Sequence, residues 1–225
     1  MREADDAPQP PDRPMSKQST TSVPAEAAKN GLGGERRQQV LTAAEKCFRK
    51  HGIHATSIQQ ISAVAGMSPG HIYHYFRNKE AIVAGIVERM LAELLGHAER
   101  LRHRSLTEGV VEAWLARVEP ALDRRADKER TSLILEIFAE STRNEAVAAL
   151  VQEADVVARG KLMELFKLVP ALSGLPPREL AARLTVMNAI FDGLALRMLC
   201  DPTPNRAATV RIIKRVIQGL LEEAA

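Results

Sequence analysis

Between Thr56 and Lys79, two apolar runs too short to stand alone are separated by a three-residue break, Gly66-Met67-Ser68, and this spacing restricts the chain's folding more than any other feature. Ile58, Ile61 and Ala65 recur at helical intervals with Gln59 and Gln60 on the opposite face, and Gly66 stops the run. Thr56 and Ser57 supply capping hydroxyls, and a glutamine three residues on gives capping-box spacing. Ser68-Pro69 opens the next helix with a cap residue and a proline at the first helical position, and Ile72 and Phe76 form its inner face. Helices of two turns are unstable by themselves, so both need a partner. The preceding segment provides one, with Val40, Ala44, Cys47 and Phe48 on one face and Gly52 as its stop. The expectation is a three-helix, helix-turn-helix unit over residues 35–80.

Charge is distributed to match. Residues 35–80 carry seven Lys/Arg against three Asp/Glu and four of the six histidines, whereas residues 81–225 are balanced at twenty of each. A basic excess confined to one small block is the footprint of a phosphate-backbone binder. The chain has no H-E-x-x-H, no Gly-rich phosphate loop and no nucleophile elbow, so an enzyme is not expected, nor a cofactor. Cys47, His51 and His54 have metal-like spacing, but Cys47 falls on the buried face and Gly52 ends the helix before His54, so no metal site is expected. Cys200 has only Arg197 nearby to activate it, which argues against redox sensing. Residues 1–34, with five prolines and a Ser19–Ser22 cluster, read as a disordered tail without a signal-peptide core. With no membrane-length apolar run, the expected location is the cytoplasm.

From residue 81 to 225 the pattern is helical throughout, giving an all-α chain. A long helix fits residues 79–103, and others fit 107–124, 127–142, 144–168, 177–200 and 205–223. Met90, Trp114, Leu115, Phe138, Met163 and Phe166 are candidates for a ligand pocket in this body, although Met and aromatic residues at helical spacing are more often plain core. Glu136 and Glu140, four apart among apolar neighbours, would suit a cationic ligand or a local ion pair. Two apolar stripes near the end are the candidate homodimer surface: Leu184, Met187, Phe191, Leu194 and Met198, then Ile213, Val216, Ile217 and Leu220.

On the short third helix, Gly70 and His74 point away from the inner face, flanked by His71 and Tyr73. Such a face suits groove reading, because the rings and hydroxyl donate hydrogen bonds and glycine permits close approach. Lys79 is placed for a phosphate, and so is the capped start of the second helix. The run Ile72-Tyr73-His74-Tyr75-Phe76 followed by Asn78-Lys79, with His51-Gly52-Ile53, Thr56-Ser57-Ile58 and Ala65-Gly66-Met67-Ser68 upstream, resembles the DNA-binding domain of the TetR family of repressors. Leu133–Glu140 with Arg143-Asn144, and Ile190–Ala195, are similar to the bodies of its AcrR-like and BetI-like branches.

The resemblance implies a nine-helix fold with a three-helix DNA head and a body that binds ligand and dimerises. It implies a homodimer on double-stranded, palindromic operator DNA, released by a small-molecule effector acting through the fourth helix. DNA contacts carried over from the family are Thr56, Ser57, Gln59, Ser68, Gly70, His71, Tyr73, His74, Tyr75 and Lys79, with Gly70 departing from the larger polar residue some members have. The competing expectation is a helical small-molecule-binding protein with only non-specific DNA affinity.

Overall fold

Local capping chemistry sets most of the helix boundaries. A computed structural model describes residues 25–201 and 205–222, with side chains from residue 33 onward. Helix α1 (Ala25–His51) ends where Gly52, at φ +81°, donates its N–H to the Phe48 carbonyl (2.8 Å). It begins ten residues before the expected start and so takes up the last part of the segment read as a tail. Extending an established helix through Ala25, Ala27 and Ala28 costs little compared with nucleating one. The rest of that tail, residues 1–24, lies outside the described residues.

Helix α2 (Ile58–Ala65) has the full capping box: the Ser57 hydroxyl accepts from the Gln60 N–H (3.2 Å), and the Gln60 side chain accepts from the Ser57 N–H (2.7 Å). Gly66, at φ +64°, closes it in the left-handed conformation. Ser68 caps α3 (Pro69–Tyr75) through the His71 N–H, and Asn78 caps α4 (Lys79–Glu108) through the Ala81 N–H.

α4 runs five residues past its expected end, with an Arg104–Glu108 pair on its last turn. The expected helix 107–124 is two pieces, α5 (Val110–Ala116) and α6 (Val118–Ala126), separated by Arg117. Pro120 explains the break, since it has no N–H for the Ala116 carbonyl and its ring crowds that position. Asp127 and Asn144 cap α7 (Lys128–Ser141) and α8 (Glu145–Phe166), each accepting two backbone N–H bonds. A 3-10 turn at Pro170–Leu172 leads to α9 (Pro177–Cys200), followed by α10 (Arg206–Glu222). With α5 and α6 counted as one bent element, the described residues form nine helices and no strand.

Residues from Arg37 onward make one unit with two apolar clusters. One joins α1, α2 and α3 to Ile82, Val83 and Ile86 of α4, and continues into Leu133, Ile137 and Val147. Packing therefore does not divide at residue 80. The other fills the body, from Ala98 and Leu101 of α4 through α5, α6, α8, α9 and α10. No helix among the described residues is long and apolar enough to cross a membrane.

Candidate nucleic-acid interface and body cavity

The α2–α3 pair presents its polar side outward because Ile61, Ala65, Ile72 and Phe76 are buried beneath it. Gln59, Ser68, Gly70, His71, Tyr73 and His74 are exposed, and Ser57 and Tyr75 are half-buried. The rings form a connected surface: His71 and Tyr75 lie 5.5 Å apart between centroids, and His74 meets Tyr75 edge-on at 5.1 Å. Eight of the ten expected DNA contacts are thus at least partly accessible on α2, α3 and their caps. No Cβ contact closes off Gly70, so its backbone is open.

Two of the expected contacts have partners within the protein. Thr56 is only 2% exposed, and its hydroxyl donates to the Gly52 carbonyl (2.7 Å), which fixes the α1–α2 turn and removes it from the surface. Lys79 donates to the carbonyls of His54 (2.8 Å) and Thr56 (3.2 Å). Its ammonium neutralises backbone dipoles at that turn and ties the start of α4 to it, leaving only its third N–H for a phosphate. Cys47 is buried, which pushes its thiol up and makes it a poor metal ligand, while His51 and His54 are exposed. No group of three potential metal ligands occurs among the described residues.

Glu136 and Glu140 do not face a ligand. Glu136 accepts from the Ile53 N–H (2.7 Å), joining α7 to the α1–α2 turn. Glu140, 3% exposed, accepts from Arg143 (3.0 Å) and Asn144. Both carboxylates are engaged locally and neither lines the body cavity, which favours the ion-pair alternative over a cationic ligand.

The body holds a half-open cavity of about 610 Å³ whose lining includes Met90, Trp114 and Phe138, three of the expected pocket candidates. Leu115, Met163 and Phe166 do not line it. Phe166 is core, edge-on to Trp114 at 5.3 Å, and the other two pack half-buried on the same cluster. The sequence reading missed Arg117, Arg124, Arg125 and Arg130, all on the wall. The clustering of four arginines between residues 117 and 130 was the available signal.

The expected dimer stripes lie mostly against the protomer's own core. Leu184, Met187, Ile213 and Ile217 are buried within the protomer, and Phe191, Leu194, Met198 and Leu220 pack half-buried on the same core. Of the nine only Val216 is exposed, at 43%. On these two helices the exposed apolar side chains are Val186, Leu196 and Leu199 of α9 and Ile212 with Val216 of α10.

Comparison with known proteins agrees with the fold. Residues 40–86 match the profile described as bacterial regulatory proteins, tetR family, and residues 107–222 match that of the BetI-type transcriptional repressor C-terminal domain. The chain is 32% identical over 120 residues to the HTH-type transcriptional regulator UidR of Escherichia coli K12, which covers 52% of this chain and 57% of that relative. The chain thus spans little more than half the length of these curated relatives. It is 28% identical over 200 residues to the HTH-type transcriptional regulator BetI of Yersinia pestis, covering 76% of this chain and 99% of that one. Salmonella enterica GusR superposes with a TM-score of 0.67 at 24% identity, over 83% of this chain and 95% of that one. With the C-terminal profile alone covering more than half of its residues, the chain belongs to the TetR family of bacterial regulatory proteins.

Proposed function

We propose that this protein is a DNA-binding transcriptional regulator, acting as a ligand-responsive repressor that binds a near-palindromic operator as a homodimer. The observation that carries the reading is the exposed α3 face of Gly70, His71, Tyr73 and His74, set on a basic head beside two hydroxyl-capped helix starts. Helix α3 enters the major groove, where its side chains meet base edges and the capped N-termini meet phosphates. The exposed apolar faces of α9 and α10 support pairing of two protomers, which matches a two-fold operator. The cavity, bordered by α4, supports effector binding coupled to the head. An effector acts by binding the DNA-free arrangement better than the DNA-bound one.

Affinity selection of genomic fragments by the full chain, at fixed near-physiological salt, tests this. Enrichment of a few short near-palindromes, lost in Tyr73→Ala with His74→Ala while helicity persists, is the expected outcome. Diffuse binding that disappears with added salt and is indifferent to those substitutions refutes sequence-specific regulation and leaves a small-molecule-binding protein.

A further inference from the structure

The cavity wall carries four guanidiniums, from Arg117, Arg124, Arg125 and Arg130, against two carboxylates, Asp155 and Asp192. All four arginines come from one stretch running from the α5–α6 break to the first turn of α7. Two are already engaged. Arg130 donates to Glu93 (2.7 Å); Arg125 donates to the Phe191 carbonyl (2.9 Å), lies 3.9 Å from Asp192 and stacks over the Phe191 ring. The other two are not salt-bridged to any carboxylate among the described residues: Arg117 donates only to the His97 carbonyl (3.2 Å), and the charges acting on Arg124 are Arg130 and Arg100, with Asp123 and Glu93 opposing them more weakly.

Burying guanidiniums beside one another is costly unless something answers their charge. Burial and the neighbouring Arg124 and Arg100 bring Arg117 down to about 10, so it stays charged at neutral pH. The helix dipole favours arginines at the ends of α5 and α6, but surface positions satisfy it and it does not require burial. A donor without an acceptor stands nearby as well: the Trp114 indole N–H is buried and unpartnered, on a side chain 6% exposed that lines the same space. Much of the remaining wall is apolar, including Leu91 and Leu94 of α4 and Ile134 and Phe138 of α7.

We propose that the cavity binds an organic anion with an apolar body, its carboxylate paired with Arg117 and Arg124 and its body lying along α4 and α7. The proposal rests on the reading of this chain as ligand-responsive and names the chemical class of the ligand. The wall offers donors and positive charge, so it selects against a quaternary ammonium of the same size. Arg125 and Arg130, held by their own partners, give the head-group pocket its shape.

Trp114 is the only tryptophan, so its emission reports cavity occupancy directly. The full chain, without DNA, is titrated with decanoate, 1-decanol and decyltrimethylammonium below their micelle concentrations. Decanoate changes the emission saturably and binds at least about tenfold tighter than decanol, as charge-assisted hydrogen bonds require, with the ammonium weakest. In Arg117→Gln with Arg124→Gln the decanoate preference over decanol falls to near unity, while decanol affinity holds. Arg102→Gln, on the exposed side of α4, leaves the preference intact. Failure of decanoate to bind, equal or tighter binding of the ammonium, or a preference that survives the double substitution overturns the proposal. Because no DNA is present, decanoate binding without operator selection sinks the regulator reading and leaves this one standing.

Discussion

Glu136→Ala isolates the contact between α7 and the α1–α2 turn. In the native protein the Ile53 N–H donates to Glu136 Oε1 at 2.7 Å, and Ile53 itself is buried, so water reaches that donor poorly once the carboxylate is gone. A hydrogen bond to a charged acceptor contributes about 1.5–3 kcal/mol. Glu136 is 24% exposed, which places the expected loss near the middle of that range, at about 2 kcal/mol. Arg143 loses only a 3.9 Å contact and keeps Glu140 at 3.0 Å, so the ion-pair contribution is small. For a domain of this size the melting temperature falls by roughly 4–8 °C, read by circular dichroism at fixed protein concentration.

Gly52 supplies an internal check. At φ +81°, an added Cβ would strain the backbone and stand 3.0 Å from Glu136 Oε1. Gly52→Ala therefore costs about 1–2 kcal/mol in backbone conformation, and more from displacing Glu136. Removing Glu136 relieves the second part, so the double variant loses about 1 kcal/mol less than the two single losses together. Strict additivity, or Glu136→Ala within about 0.5 kcal/mol of the parent, refutes this account of the contact.

Gly85 sits where α4 crosses α1, with a hypothetical Cβ 3.0 Å from Leu41 Cδ2 and 3.1 Å from Phe76 Cε1. Gly85→Val overpacks that crossing and costs about 1–3 kcal/mol in denaturant unfolding. Burial raises the Cys47 thiol, so at neutral pH it is almost wholly protonated; native-state alkylation leaves it unmodified, and it reacts only in denaturant. Leu196→Arg with Val216→Arg places charge on exposed apolar positions of α9 and α10; if the proposed dimer forms there, sedimentation shows the parent as a dimer and this variant as a monomer with helicity unchanged.

The head was legible because its signals are local. Ser57 with Gln60, and Ser68 with Pro69, each cap a helix through atoms three residues apart or fewer, and adjacent sequence carries that geometry. What the sequence did not show for Thr56 and Lys79 is non-local: their polar atoms serve carbonyls at residues 52, 54 and 56, a matter of how a turn folds back on itself. The α9 and α10 stripes pose a different problem. Both helices are apolar on two sides, and periodicity alone does not tell which side meets the protomer's own core. The cavity arginines were easily passed over because a charged residue on an amphipathic helix ordinarily faces water, and it is the packing of α6 against α9 that sets these on the cavity wall.

Helix α4 has its ends in different clusters: Ile86 is its last residue in the head core and Ala98 its first in the body core, about 18 Å apart at 1.5 Å per residue. Between them Val87, Met90, Leu91, Leu94 and His97 face the cavity. Mechanically this is a beam clamped at both ends and loaded in its span. A tilt of about 5° pivoting on Ala98 carries Ile86 roughly 1.6 Å sideways, within the range of helix shifts that switch protein interfaces. Lys79, fastened to the α1–α2 turn, ensures that the head travels with the beam rather than shearing from it. On the proposed reading as a dimeric regulator, the stiffness of this span is then what would pass from an occupied cavity to the separation of the two α3 helices.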